Sequence, residues 1–167
     1  WGYMPQERGL YRDMRVLDHL VWLARLHGVE RDAAIDAATS LLERLGIDDR
    51  AGDEIKNLSG GMAQRVQLAA AMVHDPPVLV LDEPFAAVDP HTVEELQAEV
   101  RKLADEGIAM LITDHNVQET LHITDRAYLL FEGEILKEGS AEELAADETV
   151  RRVYLGQNFI LRPRPEL

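Results

Sequence analysis

Cysteine is absent from the 167-residue sequence, which excludes disulfide bonds and thiolate metal sites. A reducing compartment is the simplest explanation, although an organism that uses little cysteine would give the same composition. No apolar run approaches the roughly 18 residues that a membrane-spanning helix needs, so any membrane role is expected to be peripheral. The first residues also carry no cationic, apolar signal sequence.

Basic residues are scarce as well. The chain has 17 Lys and Arg against 31 Asp and Glu, which gives a formal net charge of -14. Such a surface repels nucleic acids and anionic lipids at long range, so we expect no nucleic-acid partner. What is present, 46% hydrophobic and 29% charged residues, fits one globular domain with a substantial core.

The alternation of predicted strands and helices indicates an α/β fold with a parallel sheet. Two apolar runs that end in polar residues, PVLVLDEP (77–84) and IAMLITDH (108–115), are typical of buried parallel strands. Between them, residues 91–107 have the spacing of an amphipathic helix. Residues 1–6 are expected to begin inside a further strand.

Helices are predicted before and after this strand pair. Three of them precede it, at residues 16–26, at 33–47 and from the glycine pair 60–61 to about residue 75. After it come a short helix, a hairpin around Gly133, a helix opened by a Ser140–Glu143 capping box and a last helix. We therefore expect a single domain with a helical subdomain (8–75), a core (76–139), and C-terminal helices with a disordered tail (140–167).

Two acids close the first apolar strand. Asp82 and Glu83 stand where α/β sheets place their ligands. An aspartate there can hold Mg²⁺ directly or through water, and a glutamate one residue later can act as general base towards a water molecule. An ordinary strand-to-turn transition would explain the same residues, so this pair by itself does not decide.

Two further polar residues are candidates for the same edge. His115 follows the second apolar strand, where an imidazole can donate to a γ-phosphate and steady an attacking water. Gln6 offers a neutral amide that could ligate Mg²⁺ or water. A lone histidine is more often a surface or cap residue, and one glutamine proves nothing.

The stretch LSGGMAQR (58–65) is a candidate phosphate seat. Ser59, Gly60 and Gly61 open a predicted helix, and glycines let a phosphate approach a helix N-terminus, which carries about half a positive charge. Gln64 belongs to the same stretch and is included as a candidate nucleotide contact. The simpler alternative is a helix cap in a turn.

Taken in order, GYMPQE (2–7), LSGGMAQR, VLVLDEP, AAVDP (86–90) and ITDH resemble the motifs of the ATP-binding cassette (ABC) ATPases. They match the family's Q-loop, signature, Walker B strand, D-loop and switch histidine, and the resemblance covers essentially the whole chain. It implies a P-loop NTPase (RecA-like) core with an α-helical subdomain, and ATP and Mg²⁺ as cofactors. It also implies a second nucleotide-binding domain and transmembrane subunits as partners, with the chain on the inner face of the cytoplasmic membrane.

The resemblance also implies roles for the candidate residues. Glu83 would be the catalytic base, Asp82 a Mg²⁺ partner and His115 the γ-phosphate switch. In a head-to-tail dimer, the Ser59–Gly61 seat would hold the γ-phosphate of an ATP carried mostly by the other subunit. Gln6 would sense metal and phosphate, and Asp89 would lie at the dimer interface.

The sequence departs from the family in one respect. It contains no G-x-x-x-x-G-K-[ST] phosphate loop, since its only lysines, Lys56, Lys102 and Lys137, do not follow a glycine. We therefore expect a fragment that lacks the family's N-terminal part, binds ATP weakly by itself and does not turn it over. Apolar strand edges are expected to be exposed in such a chain, with marginal stability or aggregation as the consequence.

The cargo is less well specified. Residues 7–29 and the run from Gln64 to Phe85 resemble ATPases of ABC-2-type exporters, whereas 111–121 and 148–161 resemble the ATPase of lipopolysaccharide extraction. Branched-chain amino-acid importers share the VYLG ending. Lipopolysaccharide export is favoured over these, and a mosaic or engineered sequence, a soluble ABC ATPase acting on ribosomes or DNA, and a non-catalytic interaction fragment are the alternatives.

Overall fold

The computed structural model describes residues 1–7, 9–86, 88–156 and 158–161, and it divides the chain into two compact units, residues 1–113 and 114–167. The disordered tail predicted at 162–167 lies outside the described residues. The segments 8–75, 76–139 and 140–167 proposed from the sequence do not coincide with these two units, and that division stays a prediction.

The first unit contains a parallel sheet and four α-helices. Its three strands, in the spatial order β1, β2, β3, are all parallel, as the apolar runs predicted. The strands are β1 (Gly2–Met4), β2 (Val78–Asp82) and β3 (Ala109–Thr113), and the helices are α1 (Val16–Leu26), α2 (Arg31–Arg44), α3 (Gly60–Met72) and α4 (Pro90–Asp105). Two 3₁₀ turns, Asp48–Arg50 and Ile55–Asn57, connect α2 to α3.

The register of the sheet aligns the carboxyl ends of its strands. Leu79 pairs with Gly2 on one side and with Met110 on the other, and Asp82 at the end of β2 pairs with Thr113 at the end of β3. The contact between β1 and α3 is close, because a Cβ on Gly2 would lie 2.0 Å from the Ala71 carbonyl oxygen. Only glycine fits this position without a shift of the backbone.

Burial along the strands differs from the prediction. Leu79 and Leu81 of β2 are fully buried, but Val78 is 37% exposed, so the burial alternates. In β3 the prediction of a buried strand is wrong, since Leu111 is 57% exposed. Continuous apolar strands are buried when both faces of a sheet are covered, whereas alternating burial indicates one covered face.

Helices α1, α2 and α3 pack against one another through small and apolar side chains, including Leu20, Ala38 and Val66, each of which is fully buried. Ion pairs join two of these helices to α4. Arg44 of α2 binds Glu99 and also Glu106, the latter at 2.8 Å, and Arg65 of α3 binds Glu95. The amphipathic stripe predicted for α4 is confirmed, because its apolar side chains are all buried: Val93, Leu96, Val100 and Leu103.

The second unit is built on a hairpin. Strands β4 (Ala127–Phe131) and β5 (Glu134–Gly139) pair in antiparallel fashion, as predicted, and are preceded by α5 (Val117–Ile123). They are followed by α6 (Ala141–Ala146), the short α7 (Glu148–Val150) and a π-helical turn, Arg151–Leu155. The predicted capping box is confirmed, since Glu143 N–H donates to Ser140 Oγ at 3.2 Å and Ser140 N–H to Glu143 Oε2 at 2.8 Å. Leu121, Leu129 and Leu144 lie in the core of this unit.

Candidate functional site

Asp82 is the last residue of β2, and hydroxyl groups from both neighbouring strands fix its carboxylate. Thr113 Oγ1 of β3 donates to Asp82 Oδ1 at 2.6 Å, and the Tyr3 hydroxyl of β1 donates to Oδ2 at 3.3 Å. Partial desolvation, the negative charge of Asp82 and this hydrogen bond all raise the pKa of Tyr3. Tyr3 therefore remains a donor at neutral pH, and the sheet register alone sets the orientation of the carboxylate.

Glu83 has a backbone conformation that is rare for a residue with a side chain. Its φ of 47° lies in the left-handed region, which carries strain outside glycine. The Glu83 N–H donates to the Thr113 carbonyl oxygen at 2.8 Å, which continues the contact between β2 and β3 by one residue. The strained turn directs the Glu83 side chain away from the course that a continued strand would give it.

Gln6 lies beside this glutamate, although 77 residues separate them in the chain. The Gln6 side-chain Nε2 donates to Glu83 Oε2 at 2.9 Å. The structure thus brings three residues predicted for the site, Gln6, Asp82 and Glu83, to the carboxyl edge of one parallel sheet. This edge is where α/β folds place their ligands.

Ser59 caps α3, as the simpler sequence interpretation predicted. Its Oγ accepts a hydrogen bond from Met62 N–H at 3.3 Å. Gly61, in the first turn, has a steric reason to be glycine, because a Cβ there would lie 2.8 Å from Thr92 Cγ2. The predicted phosphate seat is therefore also a packing contact between the first turns of α3 and α4.

Gln64 does not face solvent at the mouth of the helix. Its side chain is 6% exposed, and Nε2 donates to the Pro84 carbonyl oxygen at 2.6 Å. The carboxamide therefore holds the loop that follows Glu83. The prediction that Gln64 contacts a nucleotide stays a prediction, and the contact that the structure shows is with the chain itself.

Asp89 is the N-cap of α4. Its Oδ1 accepts from Thr92 N–H at 3.1 Å and its Oδ2 from the Thr92 hydroxyl at 2.7 Å, and these hydrogen bonds lower the pKa of the Asp89 carboxyl. Because Thr92 also limits the space at Gly61, the caps of α3 and α4 share one neighbour. Asp89 remains exposed beside the Ser59 cap helix, separate from the hydrogen-bonded group around Asp82 and Glu83.

His115 belongs to the second unit, two residues after the end of β3. Its side chain is 76% exposed, and Nδ1 lies 3.6 Å from Asp114 Oδ1. Asp114 Oδ1 also accepts from Asn116 N–H at 2.7 Å, just before α5. The imidazole is thus presented to solvent from the loop that follows a strand, as the sequence predicted.

Three residues of the site were not predicted from the sequence, namely Tyr3, Thr113 and Gln67. Tyr3 and Thr113 are the hydroxyl donors to Asp82, and Gln67 of α3 donates to the Pro5 carbonyl oxygen next to Gln6. The signal for Thr113 was its position directly before Asp114 and His115. Tyr3 and Gln67 had no local signal, because their partners depend on the strand register and on the helix face that packs inward.

The ABC transporter family profile matches residues 1–86. The chain belongs to the ABC transporter ATP-binding family. An ABC transporter ATP-binding protein of Rhizobium meliloti, itself uncharacterized, is 42% identical over 160 residues, which cover 96% of this chain and 59% of that protein. The lipopolysaccharide export system ATP-binding protein LptB of Escherichia coli K12 is 38% identical over 161 residues, which cover 96% of this chain and 67% of that protein.

A second LptB, from Acidithiobacillus ferridurans, is 42% identical over 161 residues and is covered to 66% of its length. The chain thus spans between 59% and 67% of the length of these ABC relatives. Among solved structures, the ADP conformation of an ATP-binding cassette of an ABC transporter matches with a TM-score of 0.78. It is 24% identical, and the match covers 93% of this chain and 67% of that one, so the predicted fold of an ABC ATPase cassette is confirmed.

Two searches of the structure bear on how an ABC protein could use this site. Within the described residues, no helix is both long and apolar enough to cross a bilayer. The same part of the chain contains no cluster of three or more His, Cys, Asp or Glu side chains with metal-binding geometry. A Mg²⁺ ion at Asp82 would accordingly need oxygen ligands from a nucleotide, which is the usual way that proteins hold Mg²⁺.

Proposed function

We propose that this chain is the catalytic part of an ABC transporter ATPase that binds and hydrolyses ATP at a head-to-tail dimer interface and drives a membrane-embedded partner. The observation that carries the proposal is the Gln6–Glu83 hydrogen bond beside Asp82 at the carboxyl edge of the parallel sheet. A chain retained only for binding would not need an amide, a strained glutamate and an oriented aspartate at this edge. Membership of the ABC family supports the same conclusion.

Glu83 is the proposed general base. A carboxylate that accepts a proton from water must be held in place, and the Gln6 amide and the hydrogen bond from Glu83 N–H to Thr113 both hold it. His115 is the proposed donor to the γ-phosphate oxygens, where it would stabilise the charge that develops as the terminal phosphate leaves. The water oxygen forms the new bond to phosphorus, its proton passes to Glu83, and ADP leaves with the bridging oxygen.

Asp82 and Gln6 fit a magnesium ion. Both present oxygen atoms, which are the ligands that Mg²⁺ prefers. Since Gln6 Nε2 faces Glu83, its carbonyl oxygen Oε1 is the atom that would take the cation. A bound Mg²⁺ would supply charge neutralisation for the phosphates, while Tyr3 and Thr113 keep the Asp82 carboxylate in one orientation.

The cap of α3 is the proposed seat for the γ-phosphate of the partner subunit's ATP. Ser59, Gly60 and Gly61 combine a hydroxyl, backbone N–H groups and the positive end of a 13-residue helix. Asp89 would lie at the same dimer interface, and Gln64 is proposed to support the seat from inside the fold. Closure of the dimer would bury the charge of ATP between these donors, and hydrolysis would release it.

The cargo proposal is lipopolysaccharide or another lipid. It rests on the named LptB relatives and on the resemblance of residues 111–121 and 148–161 to such ATPases. The corresponding location is the cytoplasmic face of the inner membrane, with transmembrane subunits as partners and a second copy of the ATPase. ABC-2-type export and branched-chain amino-acid import remain the alternatives, and transport in membranes that contain the cognate subunits would distinguish them.

The central test uses the full chain fused behind a family phosphate-loop segment, because this sequence contains no such loop. We expect the fusion to hydrolyse ATP, and Glu83→Gln to lower kcat by about a hundredfold or more while ATP still binds, since a general base contributes about 10²–10⁴-fold. Phosphate release and nucleotide binding by fluorescence measure the two quantities. Glu99→Gln, a change to an acid that pairs with Arg44, is the matched control and should retain turnover.

Two outcomes would overturn the proposal. Normal turnover in Glu83→Gln would remove Glu83 from its role. A well-folded fusion that binds no ATP and has no turnover would instead favour a non-catalytic interaction protein. The 167-residue chain without the fused segment serves as the baseline, and we expect weak ATP binding and no turnover from it.

A further inference from the structure

Two glutamines on α3 are buried, although the helix is otherwise largely apolar on that side. Gln64 is 6% exposed and Gln67 is 3% exposed. Residues three apart lie on the same face of a helix, so both carboxamides point into the interior of the unit. A buried amide is unfavourable unless its hydrogen bonds are made, which raises the question of what these two side chains hold.

Each glutamine holds one of the two loops that meet at the site. Gln64 Nε2 donates to the Pro84 carbonyl oxygen at 2.6 Å, one residue after Glu83. Gln67 Nε2 donates to the Pro5 carbonyl oxygen, one residue before Gln6. The acceptors are backbone groups outside any helix, and α3 is therefore bonded to the chain on both sides of the Gln6–Glu83 contact.

The arrangement is not explained by the needs of the glutamines themselves. Within the described residues, Gln67 Oε1 is buried and has no hydrogen-bond partner, so the side chain retains an unfavourable acceptor in order to make its donor contact. An apolar side chain of similar length would avoid this cost. Glu83 also needs support, because its left-handed φ of 47° persists only where surrounding contacts enforce it.

We infer that Gln64 and Gln67 are positioning residues that transmit the position of α3 to the Gln6–Glu83 pair. The N-terminus of α3 carries the Ser59 cap, so any force that moves the cap moves the two amides with the same rigid helix. Loss of either amide frees one loop and lengthens the 2.9 Å contact between Gln6 Nε2 and Glu83 Oε2. In the proposed ATPase, this would couple engagement of the partner's nucleotide to placement of the chain's own base, and that part rests on the proposed function.

The first experiment uses the full chain without nucleotide. The solvent-exchange rate of the Gln6 side-chain amide protons is measured by NMR in the wild type, in Gln64→Met and in Gln67→Met. Methionine keeps the length of glutamine but has no donor. We expect the exchange rate to rise about fivefold in both variants, the change that corresponds to one typical hydrogen bond.

Val66→Ala is the matched control. Val66 lies between the two glutamines on α3, is fully buried and makes no side-chain hydrogen bond, so its truncation lowers stability without removing a loop anchor. We expect its Gln6 exchange rate to stay within about twofold of the wild type, the range below one hydrogen bond, even though its melting temperature falls. Equal acceleration in Val66→Ala and in the glutamine variants would overturn the inference, and so would unchanged exchange in the glutamine variants.

A second experiment separates this inference from the proposed function. In the phosphate-loop fusion, Gln64→Met is expected to lower kcat by about tenfold or more and to change the KM for ATP by less than about threefold, because misplacement of a catalytic group affects turnover more than binding. A fusion without turnover would contradict the proposed function and leave the NMR result to decide the inference. If Gln67→Met does not fold, Gln64→Met decides, since its acceptor adjoins Glu83 directly.

Discussion

Gly61 shows how a single residue can serve packing and a predicted site together. A Cβ there would lie 2.8 Å from Thr92 Cγ2 and 2.9 Å from Thr92 Oγ1. Thr92 cannot easily rotate away, because its hydroxyl is bound to Asp89 at 2.7 Å. The glycine that would let a phosphate approach is therefore also required where α3 meets α4.

Gly61→Ala is expected to lower the free energy of unfolding by about 1 kcal/mol. Overpacking costs about 1–3 kcal/mol, which exceeds the gain of up to about 1 kcal/mol from alanine in a helix. Urea unfolding followed by tryptophan fluorescence measures the change. Thr92→Ala in the same chain should remove most of the penalty, as expected for two residues in contact.

Gly52→Ala is the control for this substitution. No atom lies within 4 Å of a Cβ at Gly52, so the free energy of unfolding should stay the same or rise by up to about 1 kcal/mol. An equal loss of stability at both glycines would show that the Thr92 contact is not the cause.

At the scale of elements, local patterns predicted the helices well. Pro90 at the start of α4, the Asp89 cap and the apolar stripe through Val93 and Leu103 all lie where the sequence indicated. Burial of the strands was predicted less well, as exposed Leu111 shows, because an apolar run records the residue types but not how many faces of a sheet are covered.

Helix α1 contains a titratable group in an apolar setting. His19 is fully buried, its ring lies 5.7 Å from Tyr11 and 6.3 Å from Trp22 between centroids, and neither ring nitrogen has a hydrogen-bond partner among the described residues. Burial lowers the pKa of His19 in the folded chain. The neutral imidazole therefore packs as an aromatic ring, and its protonation opposes the folding of α1 against its neighbours.

This predicts a pH dependence of stability. An unfolded histidine titrates near about pH 6.5, so between that value and the lowered folded pKa the unfolded chain binds more protons, and the free energy of unfolding falls as the pH falls. His19→Phe should reduce the stability difference between about pH 7.5 and about pH 5.5. Urea unfolding at the two pH values measures it.

Two histidines serve as references for this measurement. His91 is 80% exposed, and His91→Asn should leave the pH dependence as it is in the wild type. His74, whose pKa burial also lowers, should retain part of the slope in His19→Phe. A slope in His19→Phe equal to that of the wild type would contradict the assignment.

At the scale of the whole molecule, the chain combines a strongly acidic composition with exposed apolar strand residues. The expected exposure of strand residues is confirmed by Leu111 in the first unit and by Leu130 and Ile135 of the hairpin, which are 57%, 60% and 61% exposed. Exposed apolar strands favour association, whereas a net charge of -14 opposes it. Salt screens the repulsion but leaves apolar attraction in place.

Self-association is therefore expected to increase with salt concentration and to decrease in Leu111→Thr. Threonine keeps β propensity while removing apolar surface, so the melting temperature should change little. Sedimentation velocity at low and high salt measures association. Leu79→Thr, a change at a fully buried residue of β2, is the contrast and should lower the melting temperature strongly. Association in Leu111→Thr equal to that of the wild type would exclude this strand as the cause.

The sequence by itself determined the local elements, the order of the motifs and the family, because helix periodicity, caps and strand ends depend on residues close together in the chain. It also placed Asp82, Glu83 and Ser59 at the ends of their elements. Only the tertiary structure decided that Gln6 binds Glu83 across 77 residues, that Tyr3 and Thr113 hold Asp82, and that Gln64 faces inward. These contacts depend on strand register and on which helix face is buried, and both are set by packing between segments distant in the chain.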